Sequence, residues 1–222
     1  AFTKIDRRLP AFDAMGFGQL SNGDEVVVWK NRSYVPGNGT MDRTDIFAFN
    51  LTADSLLWRN IDLDLTSGVI PLQVDNYKVY GLVHNHAFCI DLFTGEMIWL
   101  KNMNQLVNPS FSLGFFRGDL HIENDVILLM GSSDELIALD KHTGSLKFVQ
   151  QDIPGAYTGS IQNRFTYFQG KLFFSTPELV AVDVLTGKPL MEAYDTKKFG
   201  DIRSRIVIDP NRRVMYFHNG RE

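Results

Sequence analysis

Few side chains in this sequence stand at spacings that could do chemistry. His84-Asn85-His86 is the sharpest case. Two histidines one residue apart in an extended segment point to the same side, which suits a metal ion. The sequence places no third ligand, so the expectation is a turn with two solvated histidines and no bound metal. His121, His142 and His218 fall on separate strands or turns. Cys89 is the single cysteine, which excludes an internal disulfide and any site built on clustered thiolates. There is no G-x-S-x-G elbow, no phosphate-binding P-loop and no G-x-G-x-x-G after a strand. Met15-Gly16-Phe17-Gly18-Gln19 contains a G-x-G, but a turn and a second strand follow it. On these residues no catalytic group and no cofactor is expected.

A second chemistry is recognition of a protein surface. Arg32, Tyr34, Arg43, Phe115, Phe116 and Arg117, together with Phe111, Tyr157 and Phe199, form the mix of arginine and aromatic residues typical of contact surfaces. These are the candidate partner-binding residues. Whether they share a face depends on the elements that carry them.

The bulk properties narrow the classes. Lys+Arg 22 against Asp+Glu 26 gives a net charge of −4, so no basic footprint for nucleic acid or for a membrane surface exists. At 44% hydrophobic and 22% charged, the 222 residues have the composition of a folded globule. No apolar run approaches the roughly 20 residues that span a bilayer. Position 1 is Ala rather than Met, so a processed or trimmed N-terminus is expected, with any signal peptide or lipid anchor upstream.

The positioning elements emerge from an internal repeat. Four segments superimpose: 45–58 (DIFAFNLTADSLLW), 86–99 (HAFCIDLFTGEMIW), 135–148 (ELIALDKHTGSLKF) and 178–191 (ELVAVDVLTGKPLM). Asn50, Asp91, Asp140 and Asp183 align, 41, 49 and 43 residues apart. A small residue stands two places earlier (Ala48, Cys89, Ala138, Ala181). Asp54, Gly95, Gly144 and Gly187 stand four places later, and Trp58, Trp99, Phe148 and Met191 four further on. The period suits a propeller blade. Apolar alternation on both sides of a Thr-Gly pair predicts two strands joined by a turn. In that turn Asp accepts free backbone N–H groups and Gly takes positive φ. A helix through the same segment would place Gly in its interior, at a cost of about 1 kcal/mol relative to Ala.

Further apolar runs precede each hairpin, at 25–29, 78–83, 126–130, 171–175 and 214–217, and weaker strand-like stretches precede those. The expected unit is four antiparallel strands, A to D. The fold class is therefore all-β: a β-propeller of four-stranded antiparallel blades, about five visible and the last incomplete. The units are 10–60, 61–101, 102–150, 151–192 and a partial 193–222, in a single domain expected to be a fragment of a larger ring.

The columns A-x-D-x-x-T-G-x-x-x-W resemble the repeat of the quinoprotein-type (PQQ-like) β-propeller superfamily. Ala138, Asp140, Thr143 and Gly144 match it with Phe148 in the Trp place, and Asp91, Thr94, Gly95 and Trp99 match it with Cys89 in the Ala place. Ala181, Asp183, Thr186 and Gly187 match it with Met191 at the end; Asn50, Ala53 and Asp54 make the first copy degenerate. Members of that superfamily include quinone-dependent dehydrogenases and the propeller lipoprotein of outer-membrane protein assembly. The dehydrogenases resemble one another in a calcium-bound quinone and, in many, an adjacent cysteine pair. One cysteine and no assignable acidic cluster for calcium set this chain apart from them. The resemblance implies a non-catalytic envelope scaffold with a protein partner, periplasmic or extracellular. The alternatives are a propeller enzyme, quinone-dependent or carbohydrate-active, and a ligand-sensing domain of a longer protein.

In an up-down-up-down blade, the A–B and C–D turns share one end and the B–C and D–A connections the other. The A–B and C–D turns here are short, whereas 30–44, 100–117, 149–159 and 192–204 are long. Long connections on a rigid scaffold carry most binding, so that end is the expected functional face. Three glycosylation sequons, at Asn31, Asn38 and Asn50, matter only in a eukaryotic secretory setting.

Overall fold

The computed structural model describes residues 15–33, 43–60, 72–83, 85–107, 120–130, 135–151, 166–174, 178–190, 194–195 and 206–217. Apart from one five-residue helix, Met103–Val107, its regular elements are β-strands. They form four antiparallel sheets of four strands and one pair, each sheet built of consecutive strands. Blade 1 comprises β1 (Met15–Gln19), β2 (Glu25–Ser33), β3 (Arg43–Asn50) and β4 (Ser55–Asn60). Blade 2 comprises β5 (Leu72–Asp75), β6 (Lys78–Val83), β7 (His86–Asp91) and β8 (Met97–Asn102). Blade 3 comprises β9 (Leu120–Glu123), β10 (Val126–Met130), β11 (Leu136–Asp140) and β12 (Leu146–Gln150). Blade 4 comprises β13 (Thr166–Phe168), β14 (Lys171–Phe174), β15 (Glu178–Asp183) and β16 (Tyr194–Asp195). A further pair, β17 (Val207–Asp209) and β18 (Val214–Tyr216), follows.

The chain divides into two compact units, Ala1–Ser110 with blades 1 and 2 and Phe111–Glu222 with the rest. In the first unit the period-2 pattern sends Val26, Val28, Ile46, Ala48 and Trp58 to one face of blade 1, all buried. They pack on Leu72, Val79, Phe88 and Ile90 of blade 2. In the second unit Val126, Leu128, Leu136, Ala138 and Phe148 of blade 3 pack on Leu172, Phe174, Val180 and Val182 of blade 4. Blade 4 in turn packs Phe173 and Ala181 on Ile206, Ile208 and Met215. Ala48 and Ala138 of the small-residue column lie inside these seams, and Cys89, alternating with Phe88 and Ile90, is wholly buried on the other face of blade 2.

Every Asx–Thr–Gly repeat is a strand–turn–strand, as its pattern predicts. The register shifts by one residue directly after the small column in blades 1, 2 and 3, between Ala48/Phe49, Cys89/Ile90 and Ala138/Leu139. The Asp side chain organises the turn: Asp183 Oδ1 accepts from the amides of Leu185 and Thr186 and from the Thr186 hydroxyl, at 2.9–3.0 Å. Asp140 and Asp91 accept the equivalent bonds. In the degenerate first copy Asn50 Oδ1 accepts from the Ala53 amide at 2.8 Å, so the amide oxygen keeps part of the role.

The aromatic column locks one blade to the next. Trp58 Nε1 donates to the Leu92 carbonyl at 2.7 Å, and its ring covers Gly95 so closely that a Cβ there would stand 2.7 Å away. Asn60 Nδ2 donates to the Gly95 carbonyl at 2.7 Å. In the second unit Phe148 covers Gly187, where a Cβ would stand 2.6 Å from the ring. Glycine is thus required twice over at these turns, for its φ of +74° or +69° and for the missing methyl.

Candidate functional site at the long-connection end

The two ends of the sheets differ in what they leave available. At the short-turn end, A–B and C–D turns are sewn together. The amides of Leu92, Lys141 and Val184 donate to the carbonyls of Tyr77, Asp125 and Gly170, at 2.9–3.0 Å. Side chains reinforce this: Asn50 Nδ2 donates to Asp24 at 2.7 Å, the His142 ring meets Asp125 at 2.9 Å, and Tyr77 packs on Phe93 with ring centroids 5.4 Å apart. The charges here are engaged locally. The Thr186 hydroxyl holds the Asp183 carboxyl below the usual range, over the opposing effect of partial burial and with help from the Thr186 and Leu185 amides. Partial burial pushes Asp140 up, but the Thr143 amide and hydroxyl, Lys147 and the His142 amide outweigh it and leave its carboxyl below the usual range.

At the opposite end, blade 1 projects. The β2–β3 ladder runs eight rungs, from Val26↔Asn50 to Ser33↔Arg43, against six in β6–β7. Two extra rungs extend that hairpin by about 7 Å. Arg32 and Arg43 occupy its last two rungs, opposite Thr44 and Ser33, so the ladder brings these two candidates onto neighbouring strands. One rung further in, Asp45 is buried and paired with Arg59, and the Arg59 guanidinium lies 5.4 Å from the Phe47 ring centroid. Phe47 stacks on Trp29, with centroids 5.4 Å apart. The projecting hairpin therefore rests on an Asp45–Arg59–Phe47–Trp29 stack that the sequence reading did not single out. Its signal was present in the alternation of Trp29 with Val28 and of Phe47 with Ile46.

Tyr34, Phe111, Phe115, Phe116, Arg117, Tyr157 and Phe199 lie outside the described residues, as does His84. His86 opens β7 opposite Val83. Among the described residues no three His, Cys, Asp or Glu side chains are grouped so as to hold a metal ion. Cys89 is wholly buried beside Tyr80, and burial pushes its thiol up to about 12, that of a small apolar residue in the alanine column rather than of a nucleophile.

The first strands of blades 3 and 4 carry polar chemistry that sequence reading missed. His121 and Glu123 alternate on β9, and Tyr167 of β13 stacks on His121 with centroids 4.6 Å apart. The Tyr167 hydroxyl accepts from the Gly170 amide at 2.9 Å. Burial and then the neighbouring Glu123 carboxylate raise the Tyr167 hydroxyl above its ordinary range. A His-x-Glu spacing was legible; its partner, more than forty residues away on another sheet, was not.

Consecutive four-stranded sheets, an Asp-x-x-Thr-Gly turn in three of the four, and an aromatic ring clamped on the next sheet's glycine at Gly95 and Gly187 define a β-propeller of the PQQ-like class. The chain belongs to the family described as outer membrane protein assembly factor BamB, which residues 42–222 match. No curated protein sequence matches it. Among solved structures it is similar to BamB from Moraxella catarrhalis at 17% identity and a TM-score of 0.58, covering 87% of this chain and 55% of that one. It is also similar to the quinohemoprotein alcohol dehydrogenase from Comamonas testosteroni, at 12% identity and a TM-score of 0.59, over 84% of this chain and 36% of that one. A europium-containing methanol dehydrogenase has 12% identity and a TM-score of 0.56, over 84% and 44%. At such identities the likeness is one of fold. The chain spans about half the length of the BamB structure and less of the dehydrogenases.

Proposed function

We propose that this chain is part of a non-catalytic binding scaffold of the cell envelope that holds protein partners through the B–C and D–A end of its sheets. The family match over residues 42–222 carries this reading, because the family is described by an assembly factor and not by an enzyme. Two features favour the chosen end. The short turns opposite are tied to one another by backbone hydrogen bonds, and the β2–β3 hairpin extends outward with Arg32 and Arg43 in its last two rungs. Tyr34, Phe115, Phe116 and Arg117 belong to the same set by chain topology. The net charge of −4 favours protein over nucleic acid as the partner. No helix among the described residues is long and apolar enough to cross a membrane, and the proposed attachment is a lipid anchor upstream. The proposed location is periplasmic or at the envelope surface, and the scaffold needs no cofactor.

The test is quantitative cross-linking and pull-down from envelope extracts with Phe115→Ala/Phe116→Ala and Arg32→Ala/Arg43→Ala. Both pairs should lower recovery of the captured partner at least about tenfold if they are interface anchors. Leu185→Ser, exposed at the short-turn end, should leave recovery unchanged. Equal recovery from all three variants would move the interface off this face.

A further inference from the structure

Blade 2 carries an aromatic pair at its short-turn end. Tyr77 stands in the A–B turn and Phe93 in the C–D turn, 43% and 42% exposed, with ring centroids 5.4 Å apart and planes tilted by 40°. The Leu92 amide donates to the Tyr77 carbonyl at 2.9 Å, which fixes the two turns side by side. At the place of Phe93 the other repeats have Thr52, His142 and Leu185.

The backbone does not ask for a ring at Tyr77. Asn76 and Tyr77 have φ of 44° and 60°, like Gln169 and Gly170 of the blade 4 turn at 48° and 75°. Glycine adopts that conformation freely, whereas a bulky residue rarely does. Blade 4 closes the same turn with Gly170, so blade 2 holds its tyrosine against the local preference.

The charge around the pair is one-sided. The short turns of blades 1 and 2, at 19–25, 50–55, 75–78 and 91–96, are all among the described residues and hold six carboxylates against one cation, Lys78. The equivalent turns of the second unit, at 123–126, 140–145, 168–171, 183–188 and 209–214, hold five of each sign. The excess in the first unit thus exceeds the net charge of −4 on the whole chain. Glu96 shares the Phe93 turn and Asp75 opens the Tyr77 turn. A carboxylate that accepts turn amides, as Asp91 does, still carries its charge.

We infer that the Tyr77–Phe93 pair is a docking point for an arginine-bearing segment of a protein partner. A guanidinium is planar, stacks on aromatic faces and stays charged, so it uses the rings and the surrounding carboxylates together. A neutral sugar would use the rings alone, and a phosphate-bearing lipid or nucleic acid would be repelled. The patch lies at the end opposite the proposed partner face, so the two readings stand or fall separately.

Fluorescence anisotropy of a dye-labelled nona-arginine peptide titrated with the 222-residue chain tests this. Saturable one-to-one binding is expected, weakening as salt rises from about 50 to about 500 mM. Phe93→Ser and Tyr77→Gly should each lower affinity at least about threefold. Tyr77→Gly should do so without lowering the thermal midpoint, because glycine relieves the positive φ. Leu185→Ser, exposed at the short-turn end of the second unit, should leave affinity unchanged. No saturable binding, affinity untouched by both ring substitutions, or equal affinity for nona-lysine would each overturn the inference. So would an oligosaccharide that binds the wild type but not Phe93→Ser while the arginine peptide binds both alike.

Discussion

Trp58 covers Gly95 of the neighbouring sheet so closely that a methyl group on that glycine would stand 2.7 Å from the indole, while the indole N–H reaches the Leu92 carbonyl at 2.7 Å. One side chain therefore supplies both apolar closure and a hydrogen bond to the seam, beside the bond from Asn60 to the Gly95 carbonyl. Gly95→Ala should cost about 2–5 kcal/mol, the sum of left-handed backbone strain and overpacking. Gly170→Ala is the control: φ is again positive, +75°, but nothing lies within 4 Å of the added methyl. It should cost only about 1–2 kcal/mol. Urea unfolding separates the two, and equal losses would mean that ring contact at Gly95 adds nothing to backbone strain.

Trp58→Phe keeps a ring and loses the donor to Leu92. The buried carbonyl left without it should cost about 1–3 kcal/mol. Trp58→Ala removes the ring as well and should cost about 3–5 kcal/mol. If the phenylalanine variant unfolds at the wild-type urea midpoint, the Leu92 bond contributes nothing to the seam.

Acid should loosen the turns. The folded-state pKa of Asp183 lies below its unfolded value of about 3.9, so its contribution is complete at neutral pH and is lost as pH falls below about 4 through the folded value. Asp183→Asn, which keeps a neutral acceptor as Asn50 does in blade 1, should cost about 1 kcal/mol at pH 7. The gap between wild type and variant should close on acidification. A gap that stays constant from neutral to strongly acidic pH would show that the charge of Asp183 plays no part.

Cys89 should resist alkylation. With its thiol pushed up to about 12 by burial, little thiolate forms at pH 8, and the sulfur is out of reach of solvent. Iodoacetamide should label the unfolded chain fully and the native chain at a rate set by global opening. Rapid native labelling would show that the packing around Cys89 opens locally.

The sequon Asn50-Leu51-Thr52 should stay unmodified even in a secretory host. Asn50 is 4% exposed, its amide nitrogen donates to Asp24 and its oxygen accepts from Ala53. Peptide mapping after expression in a glycosylating cell checks this; a glycan on Asn50 would require the turn to be unfolded when the transferase meets it.

How far the sequence reached follows from the range of the forces involved. The hairpins around Asn50, Asp91, Asp140 and Asp183 were legible because the turn closes within five residues: the carboxylate, the hydroxyl and the glycine that make it are all local. Strand alternation is equally local, and it located the buried columns at Ala48, Cys89 and Ala138; it did not carry β2 and β3 as far as Arg32 and Arg43, which were expected in a loop over 30–44 and instead lie on the two strands. The first strands of blades 3 and 4 were harder. β9 and β13 are four and three residues long, too short for a period to show, and His121 meets Tyr167 only across two sheets. For the candidate site, topology assigned the long connections to one end, but the Asp45–Arg59–Phe47–Trp29 stack beneath them depends on cross-strand register. By itself the sequence determined the β-class, the repeat and the chemistry of each turn. Only the tertiary structure decided that Trp58 spends its indole on the next sheet's glycine and its N–H on the Leu92 carbonyl. Those outcomes depend on which atoms occupy a few cubic ångströms contributed by residues 34 or more positions apart, and no local pattern encodes that volume.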